Sequence, residues 1–275
     1  MTILAAPVCR FALAVCLTGL AADGGAAEQA KPLTLVIQPP QGEAVAPGGY
    51  QALAAYLEQA VGVRINVVTP PNFLAHWETI RRDQGVDLVW DDAHFTDYRV
   101  QRLRFHVLAK APGVTGYSLV AAAGARLRDP LSLAGKKVAS FGPPSIGTTR
   151  LNAMFPNPAR RPSIIDISTV PQALDLLHRK KVEAAMLPTA AVSEHVDRGR
   201  LVVLITMEPT PRAALSASPR VDTRTREKIR AALLRARDSD DGKRVLEELR
   251  FSHFEFAGAS TYANQGRLLR DVWGY

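Results

Sequence analysis

The chain has 275 residues, of which 47 % are hydrophobic and 22 % are charged, and its formal net charge at pH 7 is +8. This composition provides enough apolar side chains for a sizeable core. The basic residues are scattered and form no long block of like charge, so we predict no nucleic-acid partner. An anionic small molecule is compatible with the positive charge but is not implied by it.

The first 27 residues have the pattern of a secretory signal peptide. Arg10 is followed by the short apolar run FALAVCLTGLAA and then by small residues. The run is too short to remain as a membrane-spanning helix. We predict cleavage after Ala22 or after Ala27 and a periplasmic location. The alternative is an apolar N-terminal helix, but the segment has no polar face.

Both cysteines, Cys9 and Cys16, lie in this leader. The mature chain would therefore have no thiol and no disulfide, which suits an oxidising compartment. Lipoprotein anchoring at Cys16 is an alternative that we disfavour, because Val15 is bulky for the residue before such a cysteine.

From Leu33 onward, short apolar runs alternate with amphipathic segments. This order of strands and helices predicts an α/β protein with a mostly parallel sheet. The predicted elements of the first half are a strand at 33–38, a helix whose apolar face begins at Tyr50, a strand at 63–70, a helix capped by Asn72, and strands at 86–92, 105–111 and 116–124.

A second unit of the same kind begins near Thr115. We predict that Thr169 and Gln172 form a capping box that opens a helix ending near Lys181, and that the chain turns helical after Pro211. The strands of this unit are predicted at 136–141, 163–169, 182–188 and 200–207. Two α/β units without a flexible linker indicate two lobes, with a ligand bound between them.

The loop GPPSIGTT, residues 142–149, lies between a predicted strand and a helix. It matches the spacing of a phosphate loop, but Thr148 replaces the lysine of that motif. Pro143 and Pro144 also lack the backbone N–H groups that would bind phosphates. We therefore reject a nucleotide-binding loop.

Ser145 in the same loop also resembles the nucleophile of a hydrolase elbow. That motif needs a glycine two residues before the serine, and this chain has Pro143 there. Three histidines follow in the chain, His178, His195 and His253, so a catalytic triad is not excluded by their order. A secreted serine hydrolase with Ser145 as nucleophile stays open as an alternative of another class.

A third interpretation needs only the start of a helix. The amides and hydroxyls of its first turn lie together at the positive end of the helix dipole and can bind an oxyanion. Ordinary capping by Ser145 is the alternative. The residues of this candidate oxyanion site are Ser145, Ile146, Gly147, Thr148 and Thr149.

The stretch LVWDDAHFTDY, residues 88–98, follows the third predicted strand. Trp90 and Asp91 fall at the carboxyl end of that strand, where open α/β sheets bind ligands. We predict no metal here, because adjacent carboxylates on a strand point to opposite faces. Asp92 and Asp97 are interpreted as helix caps or solvated charges, and Asp91 is predicted to face the cleft.

Four stretches together resemble the phosphate-, phosphite- and phosphonate-binding proteins of ABC importers, which have the type 2 periplasmic-binding fold. They are GGYQALAAYLEQAVGVRINVV, VDLVWDDAHFTDYRVQR, LSLAGKKVASFGPPSIGTT and QALDLLHRKKVEAAML. The resemblance covers most of residues 33–255. It implies a two-lobed fold, in which each lobe is a mainly parallel sheet flanked by helices. Lobe one would comprise 31–114 and 208–275, and lobe two 115–207.

The resemblance also identifies departures at the ligand site. A Ser-Thr-Ser-Gly helix start holds the phosphonate in that family, and Ser145-Ile146-Gly147-Thr148 stands in its place. Phe73 and Asp91 stand where tyrosines are common, and Thr169 corresponds to a histidine. A carboxylate that meets the substrate's amine is replaced within 209–212, where Arg212 could meet an acidic group or lie at the surface.

We therefore expect an exported solute-binding protein without enzymatic activity, metal or cofactor, and monomeric. Its partners would be a small anionic solute and an ABC permease with its ATPase in the inner membrane. A sensor of the same fold that acts on a membrane receptor is the alternative. Asp91 could instead meet a cationic or hydroxylated ligand. The expected ligand-binding residues outside the helix start are Tyr50, Phe73, Trp90, Asp91 and Thr169.

Overall fold

The computed structural model describes residues 1–2, 31–41, 45–46 and 48–275. Residues 3–30, which contain both cysteines and both predicted cleavage sites, lie outside the described residues, so the signal-peptide prediction is not addressed. The folded unit described below is Lys31–Tyr275. None of the helices among the described residues is both long and apolar enough to cross a membrane.

As far as residue 206 the strands follow the predicted positions closely, except for a two-residue strand at 114–115 that was not predicted. Their bounds are β1 (Leu33–Ile37), β2 (Ile65–Val68), β3 (Leu88–Asp91), β4 (His106–Lys110), β5 (Val114–Thr115), β6 (Tyr117–Ala122), β7 (Lys137–Phe141), β8 (Ser163–Ile167), β9 (Ala184–Pro188), β10 (Leu201–Thr206), β11 (Thr210–Pro211) and β12 (Ala214–Ala217).

Several helices begin at residues whose side chains cap them. Asn72, Thr169 and Ser239 each accept a hydrogen bond from a backbone N–H of the first turn that follows. The bounds are α1 (Gly49–Val61), α2 (Phe73–Arg82), α3 (Ala93–Leu103), α4 (Ile146–Ala153), α5 (Val170–His178), α6 (Thr189–Asp197), α7 (Thr223–Leu234) and α8 (Asp240–Leu249). Short 3₁₀ helices include Ala259–Tyr262 and Gln265–Leu269.

Two five-stranded sheets organise the fold, in the strand orders β2-β1-β3-β12-β4 and β10-β6-β9-β7-β8. In each sheet two neighbouring pairs are parallel and two are antiparallel. The α/β class is thus confirmed, and the sheets are mixed where a mainly parallel arrangement was expected. The antiparallel pairs of the first sheet involve β12, which joins that sheet after the chain has formed the second one. Those of the second sheet involve β6, the strand by which the chain enters it. Neither strand has a periodicity that marks its direction.

Strand β12 lies in a region that was predicted to be helical. Its sequence, ALSA, contains no β-branched or aromatic residue, so its intrinsic preference does not favour a strand. It is nevertheless fully buried and pairs antiparallel with both β3 and β4. The small side chains fit this central position, and tertiary pairing overrides the local preference.

The chain passes from the first sheet to the second through β5 and returns through β11. These two strands pair antiparallel with each other, Thr115 opposite Thr210 and Val114 opposite Pro211. The two passages therefore form one narrow ribbon between the sheets. The residue numbers assigned to the two lobes from the sequence stay a prediction.

The described hydrophobic core forms three clusters, and two of them draw on both sheets. One of these two includes Phe73 and Phe95 from helices beside the first sheet together with Phe141 and Ile167 at the ends of β7 and β8. Apolar side chains thus join the two halves directly, and the cleft between them is closed over this part of its length.

Candidate functional site

The predicted oxyanion site lies where β7 ends and α4 begins. Ser145 is the N-cap residue of α4, and its side chain accepts a hydrogen bond from the Thr148 backbone N–H at 3.4 Å. The Ser145 hydroxyl donates to the Phe141 carbonyl at 2.5 Å. Ser145, Ile146 and Thr148 are each 0 % exposed. The capping role of Ser145 is therefore present, and its hydroxyl already has a backbone partner.

The threonine hydroxyls of this turn also bond within the protein. Thr148 Oγ1 contacts the Phe141 carbonyl and lies 2.9 Å from Ser140 Oγ. Thr149 Oγ1 donates to the carbonyls of Ser145 and Ile146 at 3.1 and 3.0 Å. The first amides of a helix have no backbone acceptor within it, and the Thr148 N–H is bonded to Ser145 Oγ. The groups left for an anion are therefore the backbone N–H groups of Ile146 and Gly147.

A polar chain crosses the cleft beside α4. The Tyr117 ring lies so close to Gly147 that a Cβ at this glycine would be 3.2 Å from Tyr117 Cδ1. The Tyr117 hydroxyl donates to Gln41 Oε1 at 3.2 Å, and the Gln41 amide nitrogen contacts the Asp92 carboxylate. Gln38 Oε1 accepts from the Asp92 backbone N–H at 2.8 Å. Tyr117 belongs to the second sheet and the others to loops after β1 and β3, so this chain connects both halves.

His94 in α3 makes a second connection across the cleft. Its Nε2 lies 2.8 Å from the Pro144 carbonyl, and the side chain is 0 % exposed. Burial lowers the pKa of His94 to about 4, although the Pro144 carbonyl acts in the opposite direction. The ring is therefore neutral at pH 7, and the Nε2–H tautomer donates to the carbonyl.

Asp91 is located at the end of β3 as predicted, but its carboxylate is directed into the protein and is 0 % exposed. It forms a two-pronged salt bridge with Arg99 of α3 and accepts a hydrogen bond from Thr96 Oγ1 at 3.1 Å. His76 Nε2 lies 3.1 Å from Asp91 Oδ2. Burial opposes ionisation of Asp91, but the charge of Arg99 and the hydrogen bonds of His76 and Arg99 outweigh it and lower its pKa. Where the sequence predicted a carboxylate open to a solute, the structure thus has a buried ion pair.

The other predicted ligand residues are spread over different places. Trp90 is 1 % exposed and packs in the core of the first sheet, where the Tyr50 ring centroid lies 6.5 Å from its own. Phe73 stacks near Phe95 at 6.4 Å. Thr169 is exposed and caps α5 by accepting from the Gln172 N–H. Phe73 lies close to the loop before α4, since Phe73, Gly142 and Pro143 line a cavity of about 430 Å³ that also includes Asp166.

A second cavity of about 430 Å³ lies on the hinge side of Tyr117. Both halves of the fold contribute to it, including Gln41 and Phe251 from the first and Gly116, Tyr117 and Pro188 from the second. The charged side chains among its described lining residues are Arg212 and Arg250. Arg212 is half-buried, and its guanidinium carbon lies 5.1 Å above the centroid of the Phe251 ring. This cavity can accept a small negatively charged molecule.

Neither catalytic serine chemistry nor a metal cluster finds geometric support in the described part of the chain. Ser145 hydrogen-bonds backbone groups, and no described histidine hydrogen-bonds it. No group of three or more histidine, cysteine, aspartate or glutamate side chains among the described residues is arranged to hold a metal ion.

Sequence reasoning did not select Gln41, Tyr117, His94 or Arg250 as site residues. Gln41 and Tyr117 meet across a sequence separation of 76 residues, and a single sequence gives no sign of such a pairing. The one usable signal was positional, because Tyr117 and Arg212 each follow directly on the segments where the chain was expected to change lobes.

A family model described as the periplasmic substrate-binding protein of phosphonate ABC transporters matches residues 35–262. The chain belongs to this family. Its members are substrate-binding proteins of transport systems. No curated protein sequence matches this binding protein at a significant level.

Solved structures show the same fold at low sequence identity. PhnD1 from Prochlorococcus marinus, in complex with methylphosphonate, has a TM-score of 0.68 and 14 % identity, and the match covers 87 % of this chain and 97 % of that one. XAC2383 from Xanthomonas citri, bound to ATP, has a TM-score of 0.69 and 14 % identity over 86 % and 95 % of the two chains. The binding-protein component of a Pseudomonas aeruginosa phosphonate transporter has a TM-score of 0.62 and 14 % identity over 84 % and 83 %. The two-lobed periplasmic binding-protein fold is thereby established for this binding protein.

Proposed function

We propose that this chain is exported to the periplasm, where it captures a small phosphate- or phosphonate-like oxyanion between its lobes. The loaded form then delivers the solute to an ABC permease and its ATPase in the inner membrane. The solute is bound and released without chemical change, and the protein acts as a monomer.

The observation that carries this proposal is the convergence of both halves on one cleft beside the start of α4. Tyr117 and Gln41 meet there from opposite sides, and His94 reaches the Pro144 carbonyl from the first half to the second. The amides of the α4 first turn and the dipole of that helix favour a negative charge at this place. Methylphosphonate in PhnD1 is a solute of the same chemical class.

The mechanism follows from contacts to both halves. A solute that touches both stabilises the closed form, because its binding energy is realised in full only when the halves are together. Here Gln41 and His94 of the first half contact Tyr117 and Pro144 of the second half. We infer that opening breaks these contacts and gives the solute access to the cleft beside α4.

Thermal unfolding of the mature protein with a panel of solutes tests this function. Phosphate, methylphosphonate, sulfate, acetate and methylamine are compared at equal concentration and ionic strength. A solute that binds the folded protein at a hundred times its Kd adds about 2.7 kcal/mol to the free energy of unfolding, which is visible as a raised Tm. We expect the phosphorus oxyanions to raise the Tm most.

A matched pair of glycine variants locates the site. In Gly147→Ala the added methyl group would lie 3.2 Å from Tyr117 Cδ1 and 3.3 Å from Met186 Cγ, beside the proposed anion site. In Gly258→Ala the added methyl group meets no atom within 4 Å. We expect weaker oxyanion binding in the first variant alone. A Tm raised only by methylamine, or equal binding in both variants, would contradict the proposal.

A further inference from the structure

The cavity on the hinge side of Tyr117 has an unusual charge distribution. The charged residues among those described around it are two arginines, Arg212 and Arg250. Neither forms an ion pair with another described residue. Arg212 is half-buried and Arg250 is exposed. Two arginines, with no carboxylate among the described residues that line the cavity, favour an anionic occupant.

The start of α6 adds to the positive electrostatic potential in this cavity. Pro188, Ala190 and Ala191 line the cavity, and α6 begins at Thr189 without a side-chain cap. The Thr189 N–H is bonded to the Gly116 carbonyl at 2.9 Å. The positive end of the α6 dipole and the arginines therefore act on one volume from opposite sides of the cleft.

This cavity and the proposed oxyanion site lie on either side of the Tyr117 ring. Tyr117 lines the cavity and also lies against Gly147 at the start of α4. A solute that reaches from the α4 amides past Tyr117 would enter the cavity with its other end. A volume of about 430 Å³ lies within the range of ligand pockets, roughly 300–1,000 Å³, and is more than a methylphosphonate-sized solute needs.

We propose that the cavity is a subsite for a second acidic group, and that the solute is a phosphonate or phosphate that also carries a carboxylate. Arg212 and Arg250 pair with the carboxylate, while the phosphorus oxyanion lies at the start of α4. This inference rests on the proposed function and names the solute class for the same cleft. An amine at this end of the solute would be repelled by both guanidinium groups.

Isothermal titration calorimetry with three matched probes tests the inference. Phosphonopropionate, propylphosphonate and aminoethylphosphonate share a phosphonate and a short carbon chain and differ in the terminal group, which is acidic, apolar or basic. We expect phosphonopropionate to bind at least about tenfold more tightly than propylphosphonate, because charge-assisted hydrogen bonds are involved, and aminoethylphosphonate to bind most weakly.

Variants then assign the preference to the arginines. In Arg212→Gln and in Arg250→Gln the advantage of phosphonopropionate should fall by about tenfold, while the Kd of propylphosphonate changes less than about twofold. The propylphosphonate Kd also reports whether each variant is folded. Arg237→Gln is the matched control, since Arg237 is exposed on the 3₁₀ helix after α7 and does not line the cavity.

The outcomes separate this inference from the proposed function. Equal affinities for the three probes, or tightest binding of aminoethylphosphonate, would overturn the second acidic subsite and leave the oxyanion function standing. An unchanged preference in both arginine variants would overturn it as well. Absence of binding for all three probes and for inorganic phosphate would overturn the function and the inference together.

Discussion

The ion pair between Asp91 and Arg99 explains why an aspartate is tolerated at the inner end of a central strand. Both side chains are 0 % exposed, and Arg99 Nη2 also donates to Ser216 Oγ of β12 at 2.8 Å. The pair therefore joins β3, α3 and β12 within the first half of the fold. A charge in this position needs its partner, because an unpaired buried carboxylate has a high desolvation cost.

Removing the partner should destabilise the protein strongly. We expect Arg99→Met to lower the free energy of unfolding by about 3–5 kcal/mol, since Asp91 is then buried without its counter-charge. Urea unfolding followed by circular dichroism measures this change. Adding Asp91→Asn to the variant should restore part of the loss.

Arg82→Met is the control for this effect. Arg82 pairs with Glu78 at 3.5 Å on an exposed face of α2, and pairs of that kind contribute about 0–1 kcal/mol. Similar losses in the two variants would show that the Asp91 charge is not what Arg99 stabilises.

At the scale of elements, α8 depends on a close backbone approach at its first turn. A Cβ on Gly242 would lie 2.1 Å from the Ala236 carbonyl oxygen, which belongs to the 3₁₀ helix after α7. Glycine is required there because no side chain fits between the two backbones. Through Val245, Leu246 and Leu249, α8 also supplies part of the core beside the first sheet.

The variant Gly242→Ala should therefore displace α8 and lower the free energy of unfolding by at least about 1–3 kcal/mol. Differential scanning calorimetry measures the shift in Tm. The matched substitution Gly258→Ala, at a negative φ with open space around it, should leave the Tm nearly unchanged. If the two variants melt at the same temperature, α8 is free to shift without cost.

Most elements could be predicted from their own residues, and β12 shows why others could not. Helix α2 begins after Asn72 and α5 after Thr169, as the capping residues indicated. Strand β12 was missed because ALSA has no strand preference of its own and is a strand only through pairing with β3 and β4. Capping residues determine where a helix starts, whereas pairing with distant strands determines whether a segment such as β12 forms a strand.

The candidate site likewise has one part that could be predicted from the sequence and one part that could not. The start of α4 was predictable, because a serine between a strand and a helix signals capping within three residues. The salt bridge that engages Asp91 and the meeting of Tyr117 with Gln41 depend on how α3 and the second sheet are placed. The types of residue in the sequence do not by themselves indicate where these elements lie relative to each other.

At the scale of the whole molecule, His94 makes the stability of the folded protein depend on pH. Its pKa is about 4 in the folded protein and about 6.5 in the unfolded chain, because burial opposes its charge. Below about pH 6.5 the unfolded chain therefore binds a proton that the folded protein does not bind, and stability falls as the pH decreases towards 4. Burial also lowers the pKa of His76, which acts in the same direction.

We expect the free energy of unfolding to decrease between pH 7 and pH 4, with a contribution from His94 on the order of 3 kcal/mol. In His94→Gln this part of the pH dependence should be absent, because the side chain no longer titrates. His178→Gln, at an exposed position at the end of α5, should keep the wild-type profile. Chemical unfolding at a series of pH values tests the prediction, and parallel profiles for all three proteins would contradict it.

The ribbon formed by β5 and β11 has a consequence for engineering. Since Thr115 lies opposite Thr210, the segment between them leaves the first sheet and rejoins it at neighbouring points. All five strands of the second sheet belong to that segment, and none of the first sheet's strands does. The two ends of this segment are therefore adjacent. Segments with adjacent ends are the ones that tolerate circular permutation and insertion into a surface loop of another protein.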